Sequence, residues 1–221
     1  MIKLENITKT YSNSLERVKV LDNINVNIKI GEIVTIIGKS GSGKTTLLSI
    51  IGTMLKQDKG LLYINNDRID LNSNLDYLRQ NLISFVFQDH LLLPEYRIIE
   101  NIMLPSIIAG KSYNDSKNSA LELLNLFNLE NIKNRYPNQT SRGEKQRVSL
   151  LRAMINKPKL ILADEPTGNL DKSNCELLLN LIVKINNDTN TTILIATHDK
   201  KFIEVSDITY NLKNGALNLY E

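Results

Sequence analysis

A single cysteine, Cys175, in 221 residues leaves no possible internal disulfide. An oxidising compartment is therefore not needed to hold the fold, and a reducing one suits it. The simplest role for Cys175 is a small buried side chain on a helix. Long apolar runs are missing as well. The longest, such as "LILA" and "TILIA", are strand-sized, well short of the roughly 20 residues that span a bilayer. Any membrane role then has to pass through another polypeptide. The opening "MIKLENITKTY" alternates polar and apolar residues and lacks the basic start and apolar core of a secretion signal, so a cytosolic chain is expected. A large excess of either charge is also lacking, with 27 Lys and Arg against 24 Asp and Glu. The formal net charge is +3, and the Lys and Arg residues form no stripe interleaved with aromatics, which argues against nucleic acid as a partner. There is no internal repeat and no low-complexity tract, and the abundant Asn reads as a compositional habit.

What is present suits a globular chain with a sizeable core: 42% hydrophobic and 23% charged residues. "NINVNIKI" puts Ile24, Val26, Ile28 and Ile30 on one face of a period-2 strand that Gly31 ends. "IVTII" (33–37), "LISFVF" (82–87), "KLILA" (159–163) and "TTILIA" (191–196) are apolar on both faces, which implies a buried parallel sheet. Helical patterns lie between them: "KTTLLSIIGTML", "NSALELLNLFNLENI" at 118–132, and "NCELLLNLIVKINND". Ser112 with Asp115 marks the start of the second. Ser141 with Glu144 forms a capping box that opens a further helix through "QRVSLLRAM". Residues 89–155 show only helical and loop patterns, so they read as a helical insertion beside an α/β core.

"GKSGSGKTT" fits the phosphate-loop pattern at Gly38, Gly43, Lys44 and Thr45, between a buried strand and a helix. Glycines there let consecutive N–H groups curl around phosphates, Lys44 reaches the outer phosphates and the Thr45 hydroxyl suits Mg2+. A ligand-free glycine-rich turn is the bland alternative, and the full pattern with its flanks disfavours it. "LILADEPTGNLD" sets Asp164 and Glu165 at the end of a buried strand, where open α/β sheets bind ligands. Asp164 suits a Mg2+ shell, and Glu165 suits a base that orients water against a γ-phosphate; a helix cap is the alternative. A GTPase needs Asn-Lys-x-Asp, and "NKPK" (156–159) has lysine in place of the aspartate.

With these motifs the whole chain resembles, in order, the nucleotide-binding subunit of ATP-binding-cassette (ABC) transporters. The resemblance implies a P-loop NTPase (RecA-like) α/β core with an N-terminal antiparallel β-subdomain and an inserted α-helical subdomain. The single domain 1–221 would then comprise 1–88 and 156–221 as core plus β-subdomain, and 89–155 as the helical part. It implies ATP contacts along Gly38, Lys39, Ser40, Gly41, Ser42, Gly43, Lys44, Thr45 and Thr46. Gln88, ending "FVFQ", is implied to contact Mg2+ and the attacking water, with Thr45 and Asp164 as the other metal contacts. Glu165 is the implied base and His198 of "ATHD" the γ-phosphate sensor. Tyr11 of "ITKTY" matches the aromatic that stacks on adenine, although a tyrosine ending a strand also packs without a ligand.

The same resemblance gives the Ser141 helix its purpose. In this family the Leu-Ser-Gly-Gly signature caps the ATP of a second subunit, so a homodimer encloses two ATP. Here the signature reads Thr140-Ser141-Arg142-Gly143, keeping the hydroxyl and the bare N–H but replacing one glycine by arginine. Asp171 of "GNLD" is implied to face the partner subunit. "FVFQDHLLLPEYRIIENIMLP" and the signature followed by Glu144 to Arg147 look most like the subgroup serving lipoprotein release, macrolide and peptide export, and cell division. His-Leu-Leu-Leu-Pro-Glu points towards lipoprotein release. A non-transporting ATP switch of the cell-division type stays open as the alternative. A soluble ABC protein of translation or DNA repair would carry paired cassettes or long insertions. The apolar segment Asp89–Tyr96 is expected to dock integral membrane subunits through Leu92 and Tyr96, which puts the chain at the cytoplasmic face of the inner membrane.

Overall fold

A computed structural model describes residues 1–12, 17–70, 73–168 and 170–220. The chain begins with two long antiparallel strands, β1 (Ile2–Ser12) and β2 (Arg17–Ile28). In β2 the alternation buries Leu21, Ile24, Val26 and Ile28. Ile30 departs from the expected pattern and is 64% exposed. The strand stops at Ile28 because Lys29 N donates to Glu32 Oε2 at 2.8 Å and Gly31 takes φ +80°, so a turn replaces the pleat before Ile30 is reached.

β3 (Ile33–Ile37) follows, with all five residues buried, and leads into α1 (Lys44–Ile51). The helix is shorter than "KTTLLSIIGTML" suggested, ending at Gly52. β4 (Lys59–Ile64) and β5 (Asp67–Ile69) complete a four-stranded antiparallel sheet in the order β2-β1-β4-β5. A short helix α2 (Leu75–Asn81), capped by Asn74, leads into β6 (Ile83–Val86).

Residues 89–155 contain α3 (Ile98–Ile108), α4 (Tyr113–Leu126) and α5 (Arg142–Met154). Ser112 caps α4 by accepting from Asp115 N at 3.1 Å, as its spacing predicts. The helix does not run to 132. It ends at Leu126, Asn128 takes φ +54°, and the chain re-enters as a 3₁₀ turn over Glu130–Ile132. Asn tolerates the left-handed backbone that stops the helix. These three helices enclose an apolar cluster of their own, including Ile98, Ile102, Leu124, Val148 and Leu151.

The remaining elements are β7 (Leu160–Asp164), α6 (Lys172–Thr189), β8 (Thr192–Thr197), β9 (Ile208–Lys213) and β10 (Ala216–Leu219). The second sheet runs β10-β9-β3-β8-β7-β6, parallel throughout except for β10 against β9. Register places Ile37 beside Thr197 and Asp164 beside Ala196. The carboxyl ends of β3, β7 and β8 therefore open at one edge, the position where such sheets take ligands.

Candidate active site

The loop from Gly38 to Gly43 leaves that edge and folds back on the molecule. Gly43 has φ +101°, and a Cβ there would stand 2.7 Å from Val20 Cγ1 and 3.0 Å from Val20 O, so only glycine lets the loop lie against β2. A Cβ on Gly38 would meet Leu212 O at 2.6 Å. Lys44 is 6% exposed, and its Nζ donates to Gly38 O at 2.9 Å and Lys39 O at 3.3 Å. The ammonium thus sits inside the curl of the loop. Ser42 Oγ is buried there without a hydrogen-bond partner, an uncommon state that a ligand oxygen can relieve.

Beside the loop lies a cleft of about 730 Å3, into which Val18, Lys19, Gly41, His198, Lys200 and Lys213 project. Its several lysines favour an anionic occupant. Tyr11 is not among its lining residues. It pairs in register with Val18 across β1 and β2 and is 46% exposed, so it stands at the rim.

Glu165 sits just past β7 with φ +44°, a left-handed conformation that a non-glycine residue adopts at a cost and that clusters at functional sites. Its carboxylate is held from three directions. Oε1 lies 3.3 Å from Lys44 Nζ. Oε2 accepts from Thr197 Oγ1 at 3.0 Å and His198 N at 3.2 Å, with His198 Nδ1 at 2.9 Å. Burial pushes this carboxyl up, but hydrogen bonds from His198 and Thr197 and the Lys44 charge outweigh it and hold the group below the ordinary range. Asp164 differs: burial and the neighbouring Glu165 raise it above the usual value, against the opposing effects of a Thr45 hydrogen bond and the Lys44 charge. Asp164 Oδ1 is buried with no partner. An orphaned carboxylate oxygen beside a threonine hydroxyl fits a hard divalent cation such as Mg2+. Gln88 completes the group from the end of β6: a Cβ on Gly168 would stand 3.2 Å from its Cγ and 3.3 Å from its Nε2, and Gly168 N donates to Glu165 O at 2.9 Å.

Ser141, Gly143 and Asp171 form a second group. Ser141 caps α5, accepting from Glu144 N at 3.2 Å, while Glu144 Oε2 accepts from Ser141 N at 2.7 Å, so the capping box is present as its sequence implies. Asp171 caps α6. The two are joined by a residue that carries no motif, Asn174. Its Nδ2 donates to Asp171 Oδ2 at 2.8 Å, and its carboxamide lies against Gly143. Asn169 of "GNLD" lies outside the described residues. Among the described residues no hydrogen bond or ion pair links this second group to Lys44 or Glu165.

In the segment after Gln88, Leu91 and Tyr96 are 54% and 46% exposed. Leu92, expected on the docking surface, instead packs against the helical cluster of α3 to α5. His90 and Leu91 take left-handed φ values of +59° and +46°. α5 secures them: Arg152 donates from both terminal nitrogens to His90 O and Leu91 O at 2.6 Å, and Gln146 pairs with His90. That turn projects Leu91 outward and turns Leu92 in. Sequence alternation carries no sign of it.

A phosphate loop after β3 whose lysine meets the carboxylate after β7, with a histidine after β8 closing the contact, defines a P-loop nucleoside-triphosphatase. The ABC transporter family model matches residues 21–168, and the chain belongs to that family. It is an ATPase that works with ATP and Mg2+. It is 40% identical over 214 residues to the lipoprotein-releasing system ATP-binding protein LolD of Buchnera aphidicola, covering 96% of this chain and 93% of that one. It is 42% identical over 219 residues to the LolD of Bacteroides thetaiotaomicron, covering 98% and 99%. Among solved structures, the dimeric post-hydrolysis state of the ATP-binding cassette MJ0796 bound to ADP and Pi superposes with a TM-score of 0.92 at 38% identity, covering 100% of this chain and 98% of that one.

Proposed function

We propose that this chain is the ATP-hydrolysing subunit of a lipoprotein-releasing membrane complex. In this reading two copies enclose two ATP, and closure moves a separate membrane subunit. The relatives named for lipoprotein release and the dimeric cassette of similar fold support it. Among the described residues no helix is long and apolar enough to cross a membrane. In this reading the chain works at the cytoplasmic face of the inner membrane through that partner, which the relatives named for a lipoprotein-releasing system support. The whole chain acts as one ABC domain, with 89–155 as its helical part.

The observation that carries the catalytic reading is the Glu165 carboxylate, ionised and aimed by Lys44, Thr197 and His198. Lys44 lies among the loop carbonyls and Glu165, so phosphate oxygens entering the loop compete for its Nζ and free Oε1. Glu165 then accepts a proton from the attacking water, and Gln88 and His198 hold that water and the outer phosphate in line. The Gly38 to Thr46 backbone cradles the phosphates. Thr45, Asp164 and Gln88 would hold Mg2+, which would offset negative charge on the phosphates. Tyr11 stacks on adenine from the rim of the cleft. Ser141, Gly143 and Asp171 face the second copy's nucleotide. Replacing Glu165 by Gln tests this: hydrolysis falls by roughly 10² to 10⁴ with ATP binding retained. Turnover at the native rate would remove Glu165 from the role.

A further inference from the structure

Two surfaces that the proposed dimer presents to its second copy start on different helices, Ser141 on α5 and Asp171 on α6. Asn174 bonds Asp171 and lies against Gly143 in the first turn of α5. Its backbone N donates to Asp171 Oδ1 at 2.8 Å and its side-chain Nδ2 to Asp171 Oδ2 at 2.8 Å, so the carboxylate is gripped by one residue at both oxygens. With Nδ2 committed to Asp171, the other half of the carboxamide is directed onto Gly143. A Cβ built there would overlap the carboxamide and come within 3.0 Å of Asn174 Cβ. Gly143 is buried, and the side chain that would have to yield is that of Asn174, which its bond to Asp171 Oδ2 holds in place. The glycine thus serves a close helix approach inside its own subunit.

We propose that Asn174 is a positioning residue that locks the first turn of α5 to the Asp171 cap, so that Ser141 and Asp171 meet the second copy as one rigid surface. This rests on the dimer reading above. It gives Gly143 a second role beside offering its N–H to the second copy's nucleotide: its missing side chain is the seat of Asn174. The exposed carboxylate of Asp171, held down to about 2 by the Asn174 backbone N–H, the Ser173 hydroxyl and the Asn174 amide, is a direct reporter of the grip.

The test compares Asn174→Ala, Asn174→Asp, Gly143→Ala and the double variant Gly143→Ala/Asn174→Ala, each alone and on a Glu165→Gln background. Asn174→Ala is expected to leave the melting temperature and the ATP affinity of the isolated chain unchanged, to lower kcat by on the order of 10-fold to 100-fold through misplacement, and to weaken the ATP-dependent dimer. Asn174→Asp keeps the shape but sets a second carboxylate against Asp171, and behaves like the alanine. Gly143→Ala is the most damaging single change. Removing the carboxamide clears the two shortest contacts but leaves the residue-174 Cβ 3.0 Å from the new methyl, so the double variant recovers in part, from the level of Gly143→Ala towards that of Asn174→Ala. By NMR the Asp171 pKa rises in Asn174→Ala, only in part, since the backbone and Ser173 bonds remain. A normal dimer and kcat in Asn174→Ala, or a double variant as impaired as Gly143→Ala, overturns the inference alone. Absence of any ATP-dependent dimer in Glu165→Gln with native Asn174 overturns the dimer reading and this inference with it.

Discussion

Lys44 Nζ lies 3.3 Å from Glu165 Oε1, so the phosphate-loop lysine and the residue proposed as base share one shielded ion pair with side chains 6% and 15% exposed. In the proposed mechanism this single ammonium couples phosphate binding to release of the base. The other oxygen of Glu165 is held independently by Thr197 and His198, which keeps the carboxylate aimed when Lys44 turns to a phosphate.

A titration tests that arrangement. The Glu165 carboxyl is held low because hydrogen bonds from His198 and Thr197 and the charge of Lys44 outweigh the opposing effect of burial. A folded-state pKa below the unfolded one contributes stability that is present above the unfolded value and lost as pH falls through the folded value. Thr197→Val and His198→Ala each remove a lowering contact, so each is expected to raise the Glu165 pKa, followed by 13C NMR of its carboxyl carbon. An unchanged value in both variants would mean the contacts do not hold the group.

Two glycines of the phosphate loop should respond differently to alanine. Gly41 has φ +76° with open space where a Cβ would go, so Gly41→Ala costs about 1–2 kcal/mol of backbone strain and leaves ATP binding measurable. Gly43→Ala adds a clash with the Val20 carbonyl and side chain to a φ of +101°, and the loop has to move. Loss of ATP binding in Gly43→Ala and its retention in Gly41→Ala, measured by calorimetry, is the expected pair of results.

The segment after Gln88 offers a contrast between neighbours. Leu92 is half-buried against the helical cluster, so Leu92→Glu sets a partly desolvated charge against apolar side chains and lowers the melting temperature of the isolated chain. Tyr96 is 46% exposed, and Tyr96→Glu leaves the melting temperature and ATP affinity unchanged while weakening association with the membrane subunit. Equal thermal effects in the two variants would contradict the different packing.

Much of this was legible in the sequence for physical reasons. β3 and β8 are apolar on both faces, which only a covered parallel sheet explains, and the phosphate loop sits between strand and helix as its chemistry demands. The Ser141 capping box is a local motif, fixed within four residues. What escaped is set by tertiary contact. The left-handed pair His90 and Leu91 depends on Arg152, 61 residues from Leu91. The seat of Asn174 on Gly143 depends on two helices meeting. β5 and α2 are three and seven residues long, too short to show a period. Ile30 followed the alternation in sequence but not in space, because the Glu32 side chain captured the backbone first.

In the proposed dimer, Ser141 of one copy faces the phosphate loop of another across ATP. A Gly41→Cys subunit mixed with a Ser141→Cys subunit tests it most directly, both on a Cys175→Ser, Glu165→Gln background. Gly41 accepts the cysteine because its Cβ position is open. A disulfide between chains is expected to form with ATP and Mg2+ and not without them. A disulfide that forms equally without nucleotide, or one that closes within a single chain carrying both cysteines, would contradict it.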